Sequence, residues 1–265
     1  MPADAAPIYE VLRDTLREDA PVALATVTEG PHAGAKLLVR PGRDPIGSLG
    51  DPDLDRVVAR DALGELEAGL TSTRHYGVHG EAREQDVAVF IESFAPAPHM
   101  VIFGAVDFTA ALARAGKLLG YRVTVCDARP VFATPRRFPM ADEVVNDWPD
   151  RYLAKIADAL GPRDAVCVLT HDAKFDVPAI VGALATRVGY LGAMGSRKTH
   201  AKRVERLREA GVDDAGLDRV MAPIGLDIGA RTPEETAIAI CAEIIALRTG
   251  RAAGSLRGGS GPIHQ

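Results

Sequence analysis

The stretch with the most chemistry in it is Leu191-Gly192-Ala193-Met194-Gly195-Ser196-Arg197-Lys198-Thr199-His200. It follows an apolar run and has the form of a helix start. Gly195 lets the backbone approach a ligand closely, Ser196 suits an N-cap, and the free amides of a first helical turn attract anions. Arg197 and Lys198 put two cations in that turn, where the helix dipole disfavours positive charge. A bound anion at Gly195–Lys198 would account for them. A solvated basic face, continued by Lys202, Arg203 and Arg206, is the plainer alternative.

Three further segments share this form. Gly104-Ala105-Val106-Asp107 occupies the place of a glycine-rich dinucleotide turn, but Val106 and Thr109 stand where its second and third glycines belong. The Val106 side chain obstructs a pyrophosphate, and Asp107 is expected to cap the helix and repel a phosphate. A tight structural turn is the favoured reading. Asp127 lies 23 positions after Gly104, the spacing of an acidic residue that grips a ribose, with Arg129 beside it. In Thr170-His171-Asp172-Ala173-Lys174-Phe175-Asp176, His171 can transfer a proton near neutral pH, Asp172 accompanies it, and Asp176 is expected to cap the next helix. Pro223 to Glu235 carries Gly225, Asp227, Gly229 and Arg231 ahead of a strongly capped helix, a loop able to close over a ligand. His75 and His79 are spaced as helical metal ligands would be, yet Gly77 between them argues for a strand or turn, and two ligands do not make a site. No Ser/His/Asp set, nucleophile elbow or P-loop is present.

The elements that position these loops follow from periodicity. Apolar strands are expected at Met100–Phe103, Arg122–Asp127, Ala165–Leu169 and Tyr190–Ala193, with a shorter one at Glu143–Val145. Helices are expected at Asp107–Leu119, Asp150–Leu160, Val177–Thr186, Ser196–Ala210 and Thr232–Arg248. Strict alternation of apolar strands and helices implies right-handed βαβ units and a doubly wound α/β domain, a Rossmann-like parallel sheet over residues 100–250. Ligands in such sheets lie beyond the carboxyl ends of the strands, where the four segments fall. Residues 1–94 read as a small α+β domain: Ile8, Val11, Leu12 and Leu16 share a helical face, Val22–Thr28, Lys36–Val39 and Val87–Phe94 are strand-like, and Asp51-Pro52 opens a helix. The alternating prolines of Ala95-Pro96-Ala97-Pro98 mark a stiff linker at 95–99. The Gly- and Ser-rich tail, 251–265, is expected to be disordered.

Composition narrows the partners. A net charge of -5 lacks the broad basic footprint of a nucleic-acid binder. The three cysteines, Cys126, Cys167 and Cys241, form neither a disulfide framework nor a zinc spacing. No apolar run reaches the roughly 18 residues of a membrane span, and Met1 to Glu10 has no signal-peptide character, so a cytoplasmic location is expected.

With these residues in view, the chain resembles the XdhC/CoxI family, accessory proteins of xanthine dehydrogenase and related molybdenum hydroxylases. GAMGSRKTH (Gly192–His200) and PIGLDIGARTPEETAIAICAEIIALRTGR (Pro223–Arg251) carry the resemblance most specifically. LLGYRVTVCDARPVFATPRRFPMADEVV (Leu118–Val145) and HDAKFDVPAI (His171–Ile180) support it. The resemblance implies a small N-terminal domain followed by a Rossmann-like domain, in an accessory protein rather than an enzyme. It implies binding and protection of the molybdenum cofactor (molybdopterin), help with its sulfuration, and delivery to a xanthine dehydrogenase-type apo-enzyme. Contact with a cysteine desulfurase and a homodimer are implied as well. A pterin phosphate would rest on Gly195–Lys198, with Arg231 and the Gly225–Gly229 loop over it and His171 and Asp172 lining the cleft. Two departures stand out. The family turn GAG-His reads Gly104-Ala105-Val106-Asp107 here, and the family segment resembling GSVSGGCVE reads Gly47-Ser48-Leu49-Gly50-Asp51-Pro52, without the cysteine. The rival expectations are an NAD(P)-dependent oxidoreductase with Asp127 on the ribose, and a ligand-free adaptor between the desulfurase and the target enzyme.

Overall fold

The computed structural model describes residues 5–258, which divide into two compact units at Pro96/Ala97.

The first unit is a five-stranded antiparallel sheet with a helix on each face. Its elements run α1 (Ala5–Arg17), β1 (Val22–Glu29), β2 (Lys36–Val39), β3 (Ile46–Ser48), α2 (Pro52–Ala68), β4 (Ser72–Tyr76) and β5 (Val87–Phe94), in sheet order β3-β2-β1-β5-β4. Side chains alternate across a strand. Val22, Leu24 and Leu38 therefore pack with Ile8 of α1, while Ala23, Ala25, Val27, Leu37 and Val39 pack with Leu54 and Val58 of α2. The face of α1 is completed by buried Thr15, one residue before the expected Leu16, which is exposed. α2 begins as Asp51-Pro52 suggests: the Asp51 carboxylate accepts from the amides of Asp53 and Leu54. His75 lies in β4 and His79 in the following turn, where its Nδ1 pairs with Asp51 at 2.8 Å.

The second unit is the expected doubly wound α/β domain. It contains β6 (His99–Phe103), α3 (Asp107–Leu118), β7 (Arg122–Cys126), β8 (Glu143–Val145), α4 (Pro149–Ile156), β9 (Ala165–Val168), α5 (Ala173–Leu184), β10 (Tyr190–Ala193), α6 (Arg197–Glu209), α7 (Asp214–Asp218), β11 (Val220–Met221) and α8 (Pro233–Thr249). All six strands are parallel, in the order β11-β10-β9-β6-β7-β8. This is the dinucleotide-fold order 3-2-1-4-5-6, with the switch point between β6 and β9. Both faces are covered, so the strands are apolar on both. Met100 and Ile102 pack toward α3 and α8, and Val101 and Phe103 toward α4 and α5.

Several boundaries differ from expectation. β6 takes in His99, so the linker is shorter than 95–99. α4 ends at Ile156 and continues only as a 3-10 turn, Ala157–Ala159. α5 begins at Ala173, four residues before the expected Val177, and its cap is Asp172, whose side chain accepts from the Lys174 amide. Asp176, expected as that cap, is a buried residue inside the helix. α3 is not capped by Asp107. Thr109 Oγ1 accepts from the Val106 amide and donates to the Gly104 carbonyl. Beyond α8, residues 251–258 include a 3-10 turn at Leu256–Gly258, and the rest of the expected disordered tail lies outside the described residues.

Candidate functional site

All four segments lie at one edge of the second sheet, because every strand there points the same way. Hydrogen bonds tie them into one surface. The Ile224 amide donates to the Ala193 carbonyl, joining the fourth segment to the third. Arg203 of α6 donates to Asp176 of α5 at 2.8 Å and to the Met194 carbonyl at 2.7 Å, joining the third to the second. At the switch point Gly104 touches Thr170: with φ at +108°, it has no room for a Cβ, which would lie 2.8 Å from Thr170 Cγ2.

The Gly104 turn is closed by the protein itself. The Ala105 amide donates to Asp127 Oδ2 at 2.8 Å, and the Val106 amide is taken by Thr109. Asp127 is buried and fully engaged. Besides Ala105 it accepts from the Arg129 amide, from Arg129 Nε at 2.9 Å and from Arg129 Nη2 at 2.7 Å. Burial alone would raise this carboxyl, but Arg129 and the two amides outweigh it and hold its pKa below the ordinary carboxylate value. The acceptor that a ribose would use is thus occupied by Arg129.

The α6 start is the opposite case. Ser196 caps it, accepting from the Thr199 amide at 3.1 Å, and Gly195 takes φ +144°. Arg197 and Lys198 are exposed, and among the described residues neither forms an ion pair. Arg203, expected on the solvated basic face, is 3% exposed and lies beneath the Met194–Gly195 turn. Its Nε and Nη1, and the Nδ1 of His200, are buried without a protein partner. Burial and the neighbouring Arg203 hold His200 below the ordinary imidazole pKa. Burial raises the Asp176 carboxyl, which Arg203 offsets only in part, and Thr170 Oγ1 donates to its other oxygen.

The remaining expected residues are open to solvent. His171 and Asp172 are exposed; Asp172 caps α5 and pairs with Lys174 at 3.2 Å. Asp227 and Arg231 are exposed on the fourth segment, and the Arg231 amide donates to Glu235. That segment is anchored by Glu243, whose Oε2 accepts from the Tyr190 hydroxyl at 2.6 Å and from the Gly225 amide at 2.9 Å. Sequence reasoning misses Glu243, which reads only as an interruption of an apolar helix. It also misses an aromatic column. The Arg129 guanidinium lies 4.6 Å from the Phe132 ring centroid and 5.7 Å from that of Phe175, and Phe175 packs on Trp148 at 5.2 Å. Only the apolar character of those rings is visible in the sequence.

The three thiols are buried, and desolvation raises each, Cys126 to about 12 and Cys241 to about 11. Among the described residues no three His, Cys, Asp or Glu side chains converge on a point that could hold a metal.

A doubly wound sheet with a self-closed dinucleotide turn, and exposed unpaired cations farther along the same edge, is the arrangement of a Rossmann-type α/β domain. Residues 100–244 match the model described as the XdhC Rossmann domain, and residues 15–77 match that of the XdhC and CoxI family. The chain belongs to the XdhC and CoxI family. It is 31% identical over 195 residues to a probable xanthine dehydrogenase subunit of Bacillus subtilis, and the match covers 68% of this chain and 56% of that protein. It is 30% identical over 99 residues to the Escherichia coli molybdenum cofactor insertion chaperone PaoD, covering 37% of this chain and 31% of that one. An uncharacterized E. coli protein, YqeB, is 27% identical over 260 residues, covering 94% of this chain and 48% of its own. The chain spans about half the length, or less, of these curated relatives. A crystal structure described as a xanthine dehydrogenase from Bacillus halodurans shares the fold, with a TM-score of 0.54 at 21% identity, covering 94% of this chain and 98% of that one.

Proposed function

We propose that this chain is an accessory protein of a xanthine dehydrogenase-type molybdenum hydroxylase, binding the molybdenum cofactor and helping to sulfurate, protect or insert it. The observation that carries the reading is the pair of exposed, unpaired cations at the capped start of α6, in a family that includes a molybdenum cofactor insertion chaperone. Free first-turn amides, Arg197 and Lys198 suit the phosphate of a pterin cofactor. The buried Nε and Nη1 donors of Arg203 beneath the same turn would be satisfied by an acceptor seated there. Ligand contacts are assigned also to Gly195, Ser196, the Gly225–Gly229 loop with Asp227 and Arg231, and to His171 and Asp172, all on segments that follow parallel strands of the same sheet.

The donor set suits the phosphate of such a cofactor, and among the described residues no three His, Cys, Asp or Glu side chains converge to hold its metal. All three thiols are buried and protonated, whereas a soft metal would be held by thiolate. When bound, the cofactor would carry its metal chemistry with it, and this chain's residues would hold the organic part. A xanthine dehydrogenase-type apo-enzyme and a cysteine desulfurase are the partners this role calls for, with a homodimer as the assembled form. NAD(P) is disfavoured, because Asp127 and the Gly104 turn engage their polar groups with one another.

Protein purified from a host that makes molybdopterin, then denatured and oxidised, should release near-stoichiometric fluorescent pterin. Arg197→Glu with Lys198→Glu should abolish that while leaving the circular dichroism spectrum intact. Retained pterin in the double variant would refute the placement, and NAD(P) without pterin in the parent protein would refute the function.

A further inference from the structure

We propose that the column formed by Trp148, Phe175, Arg129 and Phe132 is the surface on which the planar ring of the ligand stacks, an inference that rests on the cofactor reading above. The column draws on three separate segments: the loop after β7, the residue before α4, and the first turn of α5. Its centre is rigid. Arg129 cannot swing, because Asp127 holds it through both Nε and Nη2. Phe175 is 6% exposed and packs against Trp148, the ring centroids 5.2 Å apart with the planes tilted at 48°, with Arg129 5.7 Å and Lys174 Nζ 4.9 Å from its centroid.

The outer members are open: Trp148 and Phe132 are each 40% exposed, so their rings present apolar surface to solvent. The column stands at the carboxyl ends of β7 and β9, on either side of β6 at the switch point, where doubly wound sheets receive their ligands. Guanidinium groups against these rings, Arg129 and Arg137 at Phe132, supply N–H donors beside an apolar face, which suits a flat heterocycle edged with carbonyl and ring-nitrogen acceptors. It is also continuous with the proposed phosphate position. Phe175 belongs to the column, and its neighbour Asp176 holds Arg203 under the α6 turn. Ring and phosphate ends are thereby linked through two adjacent residues of one helix.

Trp148 is the only tryptophan in the chain, so it can be read alone. The full chain labelled with 5-fluorotryptophan should give one 19F resonance, and pterin-6-carboxylate should shift it saturably. Equilibrium dialysis should show affinity falling roughly tenfold or more in Phe132→Ala and Trp148→Ala, and recovering in Trp148→Phe, which keeps a ring. Pterin retained in dialysis with an unmoved resonance and unchanged Phe132→Ala affinity would overturn the column while leaving the cofactor reading intact. No retention of pterin would overturn both. A shift with AMP but not with pterin would overturn the pterin assignment in favour of a nucleotide ring.

Discussion

Removing Arg203 should be among the most damaging single changes in the second unit. Its side chain and that of Asp176 are 3% and 5% exposed, and they meet at 2.8 Å. In Arg203→Met the methionine fills similar space, but Asp176 is left as a buried carboxylate and the Met194 carbonyl loses its donor. Breaking a buried pair from one side costs about 3–5 kcal/mol. The penalty should depend on pH with a definite sign. Burial already places the folded-state pKa of Asp176 above its ordinary value, and loss of Arg203 raises it further. A folded state that binds a proton more tightly than the unfolded chain gains stability as pH falls through that raised pKa toward the unfolded value near 3.9. Urea unfolding of parent and variant, followed by circular dichroism at pH 7.5 and 5.5, should therefore show a deficit that narrows on acidification. Asp176→Asn with Arg203→Met should cost less than Arg203→Met alone, because no charge is then stranded. A deficit below about 1 kcal/mol at pH 7.5, or one that widens in acid, would refute the reasoning.

Asp127→Asn should destabilise the protein by about 1–3 kcal/mol at pH 7, since the carboxylate accepts charge-assisted bonds from Arg129 and an amide hydrogen bond from Ala105. Because the folded-state pKa of Asp127 is depressed, its contribution is complete above the unfolded value and is lost as pH falls through the depressed one. The parent–variant gap in unfolding free energy should accordingly close only in acid below about pH 4. Glu243→Gln weakens the anchor on Tyr190 and Gly225, so it should cost about 1–2 kcal/mol and speed hydrogen exchange at the Gly225 amide. Unchanged exchange there would show that the loop is held by something other than Glu243.

Much of the second unit is legible in its sequence because apolar strands buried on both faces leave continuous runs, as at Met100–Phe103 and Ala165–Val168. The start of α8 is legible too, since Thr232, Pro233 and Glu235 signal it locally, and the structure shows the capping box they form. Four short elements, β3, β4, α7 and β11, go unassigned, since their few residues mix polar and apolar side chains without a clear period. The start of α5 is hidden because Asp172 and Asp176 are equally able caps. What decides between them is Arg203, 27 residues farther on, which draws Asp176 into the interior. The same limit applies to the candidate site. Gly195 to Lys198 form a local motif and can be read directly, whereas the packing of Arg129 and Trp148 against Phe175 and the anchoring role of Glu243 exist only once distant segments meet.

Under the carrier reading proposed above, the pairing of Asp127 with Arg129 has a consequence for a protein that would exist both laden and empty. A crevice that depends on its visitor to neutralise a buried charge loosens when the visitor leaves. Here the carboxylate at the head of the cleft is neutralised by a neighbour two residues away, so vacancy exposes no unmet charge at that point. At this end of the cleft the departure of a passenger would leave no stranded carboxylate, and the cost of an empty site would fall on the unmet nitrogens of Arg203 instead.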